Sequence, residues 1–282
     1  MFRLVLLPVL VDEPGCLPHS TFVMNPPMVF PSFTLLGLLT ILCLSHLVLQ
    51  PELARAETYD WTYGGITGPE HWGELSPEFK VCSSGEEQSP IDLSQPVKAN
   101  PGAIVIDYQN VPLRIMNNGH TIQVNVDPGS TIILNNQTFT LKQFHFHHPS
   151  EHTVDGNQLP MELHLVHAND RGELAILGIF MVQGDPNPTL KPVWDAMPTQ
   201  PSEEITVASA TINLAALVPE QHAGFSYLGS LTTPPCAEAV QWVVLQSPLE
   251  VSTAQVAAFQ ALFPLNARPV QARNHRFLLQ AS

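Results

Sequence analysis

The chain is expected to form a mostly β, single domain built on a large, twisted, mainly antiparallel central sheet with short peripheral helices. Three observations predict this class. Segments rich in β-branched residues recur along the chain, and several alternate apolar with polar positions. Helical signals are few. The 27 prolines and 16 glycines are spread through the chain, separating those segments by turns and forming no low-complexity tract.

The elements follow in order. YDWTYGGITGPEHWGELSPEF, 59–79, is aromatic and turn-rich and predicts an irregular arm. Strands are expected at 103–108, 112–116, 121–126, 131–134, 138–147, 160–167, 174–182, 205–207 and 239–245. The NNG at 117–119 is a turn between two of them. TLKPVWDAM, 189–197, predicts a short helix. STAQVAAFQALF, 252–263, predicts a longer one, with a Ser/Thr start and apolar residues three to four apart. No linker interrupts the stretch from Tyr59 to Ser282, so about 220 residues should share one core.

The first 56 residues have another character. LLGLLTILCLSHLVL, 35–49, is apolar and ARA, 54–56, follows it. An apolar run before small-x-small predicts a signal peptide cleaved after Ala56. The run is shorter than the ~20 residues of a membrane span, so no stable membrane insertion of the mature chain is expected. The preceding stretch is long and carries one basic residue, Arg3, so translation from Met24 or Met28 would give a more ordinary leader. The mature domain is then 57–282, and it is exported, to the periplasm or the medium.

Charge narrows the partners. The whole chain carries −14, from 25 acidic and 11 basic residues. Without a basic stripe to neutralise phosphates, nucleic acid is not an expected partner. A small substrate is. Cleavage after Ala56 removes Cys16 and Cys43 and leaves Cys82 and Cys236. A lone pair in an exported chain predicts a disulfide.

QFHFHHPSEH, 143–152, places four histidines in ten positions. Alternate side chains on a strand share a face, so Gln143, His145 and His147 point one way. On MELHLVH, 161–167, Glu162, His164 and Val166 likewise share a face. Side by side, the two strands would bring His145, His147 and His164 together. Three neutral imidazoles suit zinc and leave a fourth position open, as in catalytic sites. Ligating imidazoles also need an acceptor on the other ring nitrogen. Glu162 should serve His164, and Gln143 one of the other two. The pattern H-x-H followed by Glu151 also occurs in cupins. Those need a glycine several residues upstream, where this chain has Phe139, and a later glycine- and histidine-containing segment that is absent.

With these segments in hand, the chain resembles the α-class carbonic anhydrases, of bacterial and exported type, over roughly residues 59–280. The matching segments stand in order: GPEHW 68–72, QSPIDL 88–93, NNGH 117–120, QFHFH 143–147, SEHTV 150–154, ELHLVH 162–167, LAILGIF 174–180, GSLTTPPC 229–236 and NARPVQ 266–271. The resemblance implies zinc-dependent, reversible hydration of carbon dioxide to bicarbonate and a proton, by zinc-hydroxide attack. It implies His145, His147 and His164 as zinc ligands. Thr232 would orient the hydroxide and give its own hydrogen to Glu151. Val166, Leu231, Val240 and Trp242 would form the apolar wall that receives carbon dioxide, with Leu174 and Ile176 beside them and Thr233 next to Thr232. His120 would shuttle the proton, with Tyr63, Asn118 and Gln123 around the ordered water path. His152 and Tyr227 would be a buried supporting pair, and Cys82 and Cys236 fall where exported members form a disulfide. A catalytically inert binding module on this fold would lack a zinc histidine or the threonine, and all are present. A zinc hydrolase acting on an unrelated substrate is opposed by the apolar wall and the Thr232–Glu151 pair.

Overall fold

The structure is a computed structural model and describes residues 60–99 and 104–281. The expected leader, its cleavage site and the alternative starts lie outside the described residues. The arm is largely irregular, as expected, but its turns are tightened into two short helices, α1 (Trp72–Leu75) and α2 (Val81–Ser84). Strands β1 (Val97–Ala99), β2 (Val105–Asp107), β3 (Asn110–Asn117), β4 (Ile122–Asn125) and β5 (Thr131–Leu134) follow. Next come β6 (Gln137–His147), the small hairpin β7 (Thr153–Val154) and β8 (Asn157–Gln158), β9 (Met161–Ala168) and β10 (Leu174–Gln183). The C-terminal part holds α3 (Lys191–Ala196), β11 (Ile205–Asn213), β12 (Gly224–Ser230), β13 (Glu238–Val251), α4 (Thr253–Leu262) and β14 (Leu279–Ala281).

Among the described residues, twelve strands form one sheet whose main path runs β1-β14-β12-β13-β10-β9-β6-β4-β3-β11, with β5 and β2 joined beside β6. Most neighbours are antiparallel. β10 with β13, and β1 with β14, are parallel. The parallel pair at the centre explains why AILGIF and VQWVVL are nearly continuous apolar runs, since both of their faces are covered. One face buries Phe139, Phe144, Phe146, Leu163, Leu165 and Phe259 of α4. The other buries Ile176, Phe180, Tyr227, Val240 and Trp242. Strand alternation divides the two sets: Ile176 and Phe180 belong to one, Leu177 and Ile179 to the other.

Both expected helices form. In α4, the Ser252 hydroxyl accepts from the Gln255 N–H at 3.1 Å and the Gln255 amide accepts from the Ser252 N–H at 3.1 Å, a reciprocal cap. All nine expected strands are present. β11 and β13 run well past their expected ends, to Asn213 and Val251. β1, β12, β14 and the hairpin were not legible. Four of these five have two or three residues each, too short for a periodic signal. β12 reads GFSYLGS, with glycines where β-branched residues would mark a strand. No helix among the described residues is long and apolar enough to cross a membrane.

His167 faces away from His164 and is enclosed. Its Nδ1–H donates to the Ala175 carbonyl at 3.2 Å, and Nε2 accepts from the Tyr108 hydroxyl at 2.7 Å. That is a neutral ring, and burial pushes its pKa down to about 4. An unfolded histidine titrates near 6.5. Between these values the unfolded chain binds a proton that the folded chain refuses, so stability falls as pH falls through that window. From pH 7 to pH 5 this one group should remove about 2 kcal/mol. His167→Gln should lose correspondingly less over the same interval in urea unfolding. An identical pH dependence in the two proteins would show that His167 is not the source.

Candidate active site

β6 and β9 pair antiparallel with His145 opposite His164 and His147 opposite Glu162. This register places the three expected imidazoles on one patch of the sheet, with one ligand-capable nitrogen from each within 4.8 Å of the others. The remaining ring nitrogens are held by acceptors. His145 Nδ1 lies 2.8 Å from Gln143 Oε1, His147 Nδ1 2.7 Å from the Asn266 carbonyl, and His164 Nε2 2.9 Å from Glu162 Oε1. Each acceptor requires the hydrogen on that nitrogen, so the lone pairs left to the site are Nε2 of His145, Nε2 of His147 and Nδ1 of His164. Burial depresses all three imidazoles, His147 to about 4, which keeps them neutral. His147 Nε2 is buried with no hydrogen-bond partner. A buried lone pair left unpaired is costly, and a metal ion satisfies it. Three neutral nitrogens, fixed in tautomer and converging, fit a zinc-type ion.

Glu162 is fully buried. Its Oε2 accepts from the backbone N–H groups of Glu151 and His152, each at 2.9 Å, and its Oε1 from His152 and His164 at 2.7 and 2.9 Å. Burial alone would raise this carboxyl, but His152 and His164 hold it well below the usual carboxylate range. His152 Nε2 in turn meets the Tyr227 hydroxyl at 2.7 Å. His152, Glu162 and His164 also approach closely enough to suggest a second metal cluster. Their polar atoms are already engaged with one another, so they serve as a support. Gly178, opposite His164 on β10, makes room for this arrangement. A Cβ there would sit 2.9 Å from Glu162 Oε1 and 3.3 Å from a Val244 methyl.

The structure also brings Glu151 and the apolar residues Val166, Leu231, Val240 and Trp242 around this patch. Glu151 Oε2 lies 3.5 Å from His147 Nε2 and 3.9 Å from His164 Nδ1. Its Oε1 accepts from the Arg268 backbone N–H at 2.8 Å. Burial raises its carboxyl to about 7, while His164, that N–H and the neighbouring Thr232 hydroxyl act to lower it. Tyr63 is pushed up by burial and by the charge of Glu151. Val240 and Trp242 are buried and Val166 and Leu231 half-buried in one apolar cluster, with the Trp242 ring 4.9 Å from that of His164. Thr233 stands beside Thr232, and its carbonyl accepts from the Cys236 N–H at 2.8 Å. Cys82 and Cys236 are bonded.

His120 is half-buried, its ring stacked on Trp61 with centroids 3.7 Å apart. Burial lowers its pKa and Asp60 acts in the opposite sense. Gly119, at φ +87°, lets the chain turn there. Three partners were not legible in the sequence: Trp61, the Arg268 N–H and Asn266. Asn266 holds His147 through its carbonyl, while its side chain donates to the carbonyls of His120 and Phe146 at 3.0 and 2.9 Å. Two of these contacts are made by backbone atoms from a loop more than a hundred residues away, and no side-chain pattern encodes them.

Comparison with known proteins agrees with this geometry. A family model described as eukaryotic-type carbonic anhydrase matches residues 67–281. The chain is 49% identical over 233 residues to a carbonic anhydrase of Nostoc sp., covering 81% of this chain and 88% of that one. It is 40% identical to a carbonic anhydrase of Pectobacterium carotovorum, over 80% and 93% of the two chains. Among solved structures, the α-carbonic anhydrase of Thermovibrio ammonificans matches with a TM-score of 0.76 and 42% identity, covering 78% of this chain and 99% of that one.

Gly178→Ala should displace Glu162 without touching any of the three histidines that face the site. A lower affinity for a divalent ion is expected, by about 10-fold or more, as for other losses behind a metal ligand. Competition against a chelating indicator reads this directly. An affinity equal to the parent's would show that the carboxylate tolerates the added methyl.

Proposed function

The chain is an enzyme of the eukaryotic-type, or α, carbonic anhydrase family, and on that premise we propose that it hydrates carbon dioxide reversibly with zinc held by His145, His147 and His164. The observation that carries this reading is the convergence of three tautomer-fixed lone pairs, one of them buried and unpaired, beside an apolar wall. Zinc at this place would supply Lewis-acid activation of water at neutral pH.

The chain's own residues do the rest. Gln143, Glu162 and the Asn266 carbonyl aim the imidazoles. Thr232, giving its hydrogen to Glu151, is left able only to accept from the reacting water, and so turns a lone pair of that water toward the substrate. Glu151 is kept in place by the Arg268 N–H. Val166, Leu231, Val240 and Trp242 offer carbon dioxide a surface that competes poorly for water. His120, on the side away from the apolar wall, takes the released proton outward, since a neutral imidazole can accept a proton and pass it on. Bicarbonate, an anion, then leaves a site surrounded by a strongly acidic protein.

The catalytic domain in this reading is 57–282, following a leader removed after Ala56. The Cys82–Cys236 bond supports export to an oxidising place, the periplasm or the medium.

His164→Ala should abolish tight zinc binding and hydration together, read by zinc content and stopped-flow carbon dioxide hydration. Full zinc stoichiometry in that variant would remove His164 from the ligand set. Thr232→Ala should keep its zinc and lose about 100-fold in the bimolecular rate constant, the scale of losing one oriented hydrogen bond in a transition state. Loss of zinc from Thr232→Ala would point to a structural role instead.

A further inference from the structure

A single file of polar side chains runs outward from the His120 turn along β4 and ends in charge. Asn118 Oδ1 accepts from the backbone N–H groups of His120 and Thr121 at 3.0 and 2.9 Å. Asn118 Nδ2 donates to Gln123 Oε1 at 3.3 Å. Gln123 Nε2 donates to Asn125 Oδ1 at 2.6 Å, and Asn125 Nδ2 donates to Glu204 Oε2 at 2.6 Å. Glu204 Oε1 accepts from Arg114 Nε at 2.8 Å, and Arg114 also pairs with Asp127. The sheet supports the file: Arg114 lies opposite Asn125, and Gln123 lies opposite His145.

Direction distinguishes this file from an ordinary surface cluster. A side-chain amide can turn over, exchanging its donor and acceptor ends at little cost. Here each of three consecutive amides has its orientation dictated by the next. The file is pinned at both ends: by an ionised carboxylate, which can only accept, and by the His120 and Thr121 N–H groups, which can only donate. Because Glu204 accepts, Asn125 must present its NH2 outward and its oxygen inward. Gln123 then presents its NH2 to Asn125 and its oxygen to Asn118. Asn118 is left with its oxygen toward the backbone of His120. Arg114 and Asn125 hold the Glu204 carboxyl below its ordinary range, so it stays ionised at working pH.

We propose that Glu204, held by Arg114, is a positioning residue for proton release: through Asn125 and Gln123 it fixes which polar ends face Asn118 and the His120 turn. The inference rests on His120 carrying the proton. Glu204 touches neither the substrate nor any zinc ligand. Its influence should therefore fall on the step that empties the site of its proton and not on the encounter with carbon dioxide.

Glu204→Gln tests this, since one of the two accepting oxygens becomes an NH2 and would face Arg114 Nε or Asn125 Nδ2 donor to donor. Asn125→Leu breaks the file at its middle and leaves the Arg114–Glu204 pair intact. Asp195→Asn removes an exposed carboxylate elsewhere, paired with Lys191, and controls for lost charge. Stopped-flow hydration of carbon dioxide by the zinc-loaded proteins, in dilute bulky buffer, should give Glu204→Gln and Asn125→Leu a maximal rate about two- to fivefold below the parent with kcat/KM unchanged. Concentrated imidazole buffer should restore most of the loss, and Asp195→Asn should match the parent. The proposal is overturned if both variants keep the parent's maximal rate while His120→Ala is slowed, or if kcat and kcat/KM fall together. Should His120→Ala itself match the parent in bulky buffer, the shuttle reading fails first, and this inference fails with it.

Discussion

A carboxylate sealed from water is the constraint on which the rest of the site depends. An ionised Glu162 with unfilled oxygens would be expensive inside a protein. It is tolerable because four donors surround it, two from backbone and two from imidazoles. Each donor has a consequence elsewhere. His164 is locked into the tautomer that frees Nδ1. The backbone at Glu151 and His152 is drawn against β9, which puts the Glu151 carboxylate beside His147. His152 passes the constraint to Tyr227, whose hydroxyl lies 2.9 Å from Ser89 Oγ. Absence of a side chain at Gly178 is part of the same arrangement, because only a glycine leaves the carboxylate its space.

Around that centre the sheet divides the surroundings by polarity. Toward β10 and β13 the side chains are apolar, and Trp242 packs against both His152 and His164. Toward β4 and β3 the same face carries Gln123, Asn125 and Arg114. Hydration of carbon dioxide needs both environments, a dry place for an apolar substrate and a wet path for a proton. One sheet provides them on opposite sides of the row of histidines on β6 and β9. Asn266 joins the parts, bonding to His147 and to the His120 turn from one loop. Arg268, two residues on, reaches Glu151 through its N–H and the Cys82 carbonyl through its guanidinium. The C-terminal segment NARPVQ thereby holds His147, the Glu151 carboxylate and the arm together.

Much of this was legible because strand periodicity is a local property. The period of two in QFHFH and ELHLVH decides which side chains share a face before any partner is known, and the class of the fold follows from many such segments. The disulfide was legible because the two cysteines beyond the expected leader have one pairing to make. Misjudged elements have physical reasons too. β12 carries glycine and serine where strands usually carry branched residues. Its place between β13 and β14 comes from hydrogen bonds to neighbours. The arm at 60–84 looked irregular, yet Trp72 is fully buried there, its Nε1–H donating to the Thr62 carbonyl at 2.9 Å.

By itself the sequence determined which histidines share a strand face, the acceptors two residues before two of them and the mostly β architecture. Each of these depends on residue type and short-range spacing. Tertiary structure alone decided the register that sets His145 against His164, the Asn266 carbonyl behind His147, the Arg268 N–H on Glu151 and the stacking of His120 on Trp61. It also decided the donor-to-acceptor order from Glu204 to Asn118. These contacts join segments distant in sequence, and several use backbone atoms that every residue possesses. A residue's letter carries no information about where its carbonyl will point, so that part of the site exists only once the chain has folded.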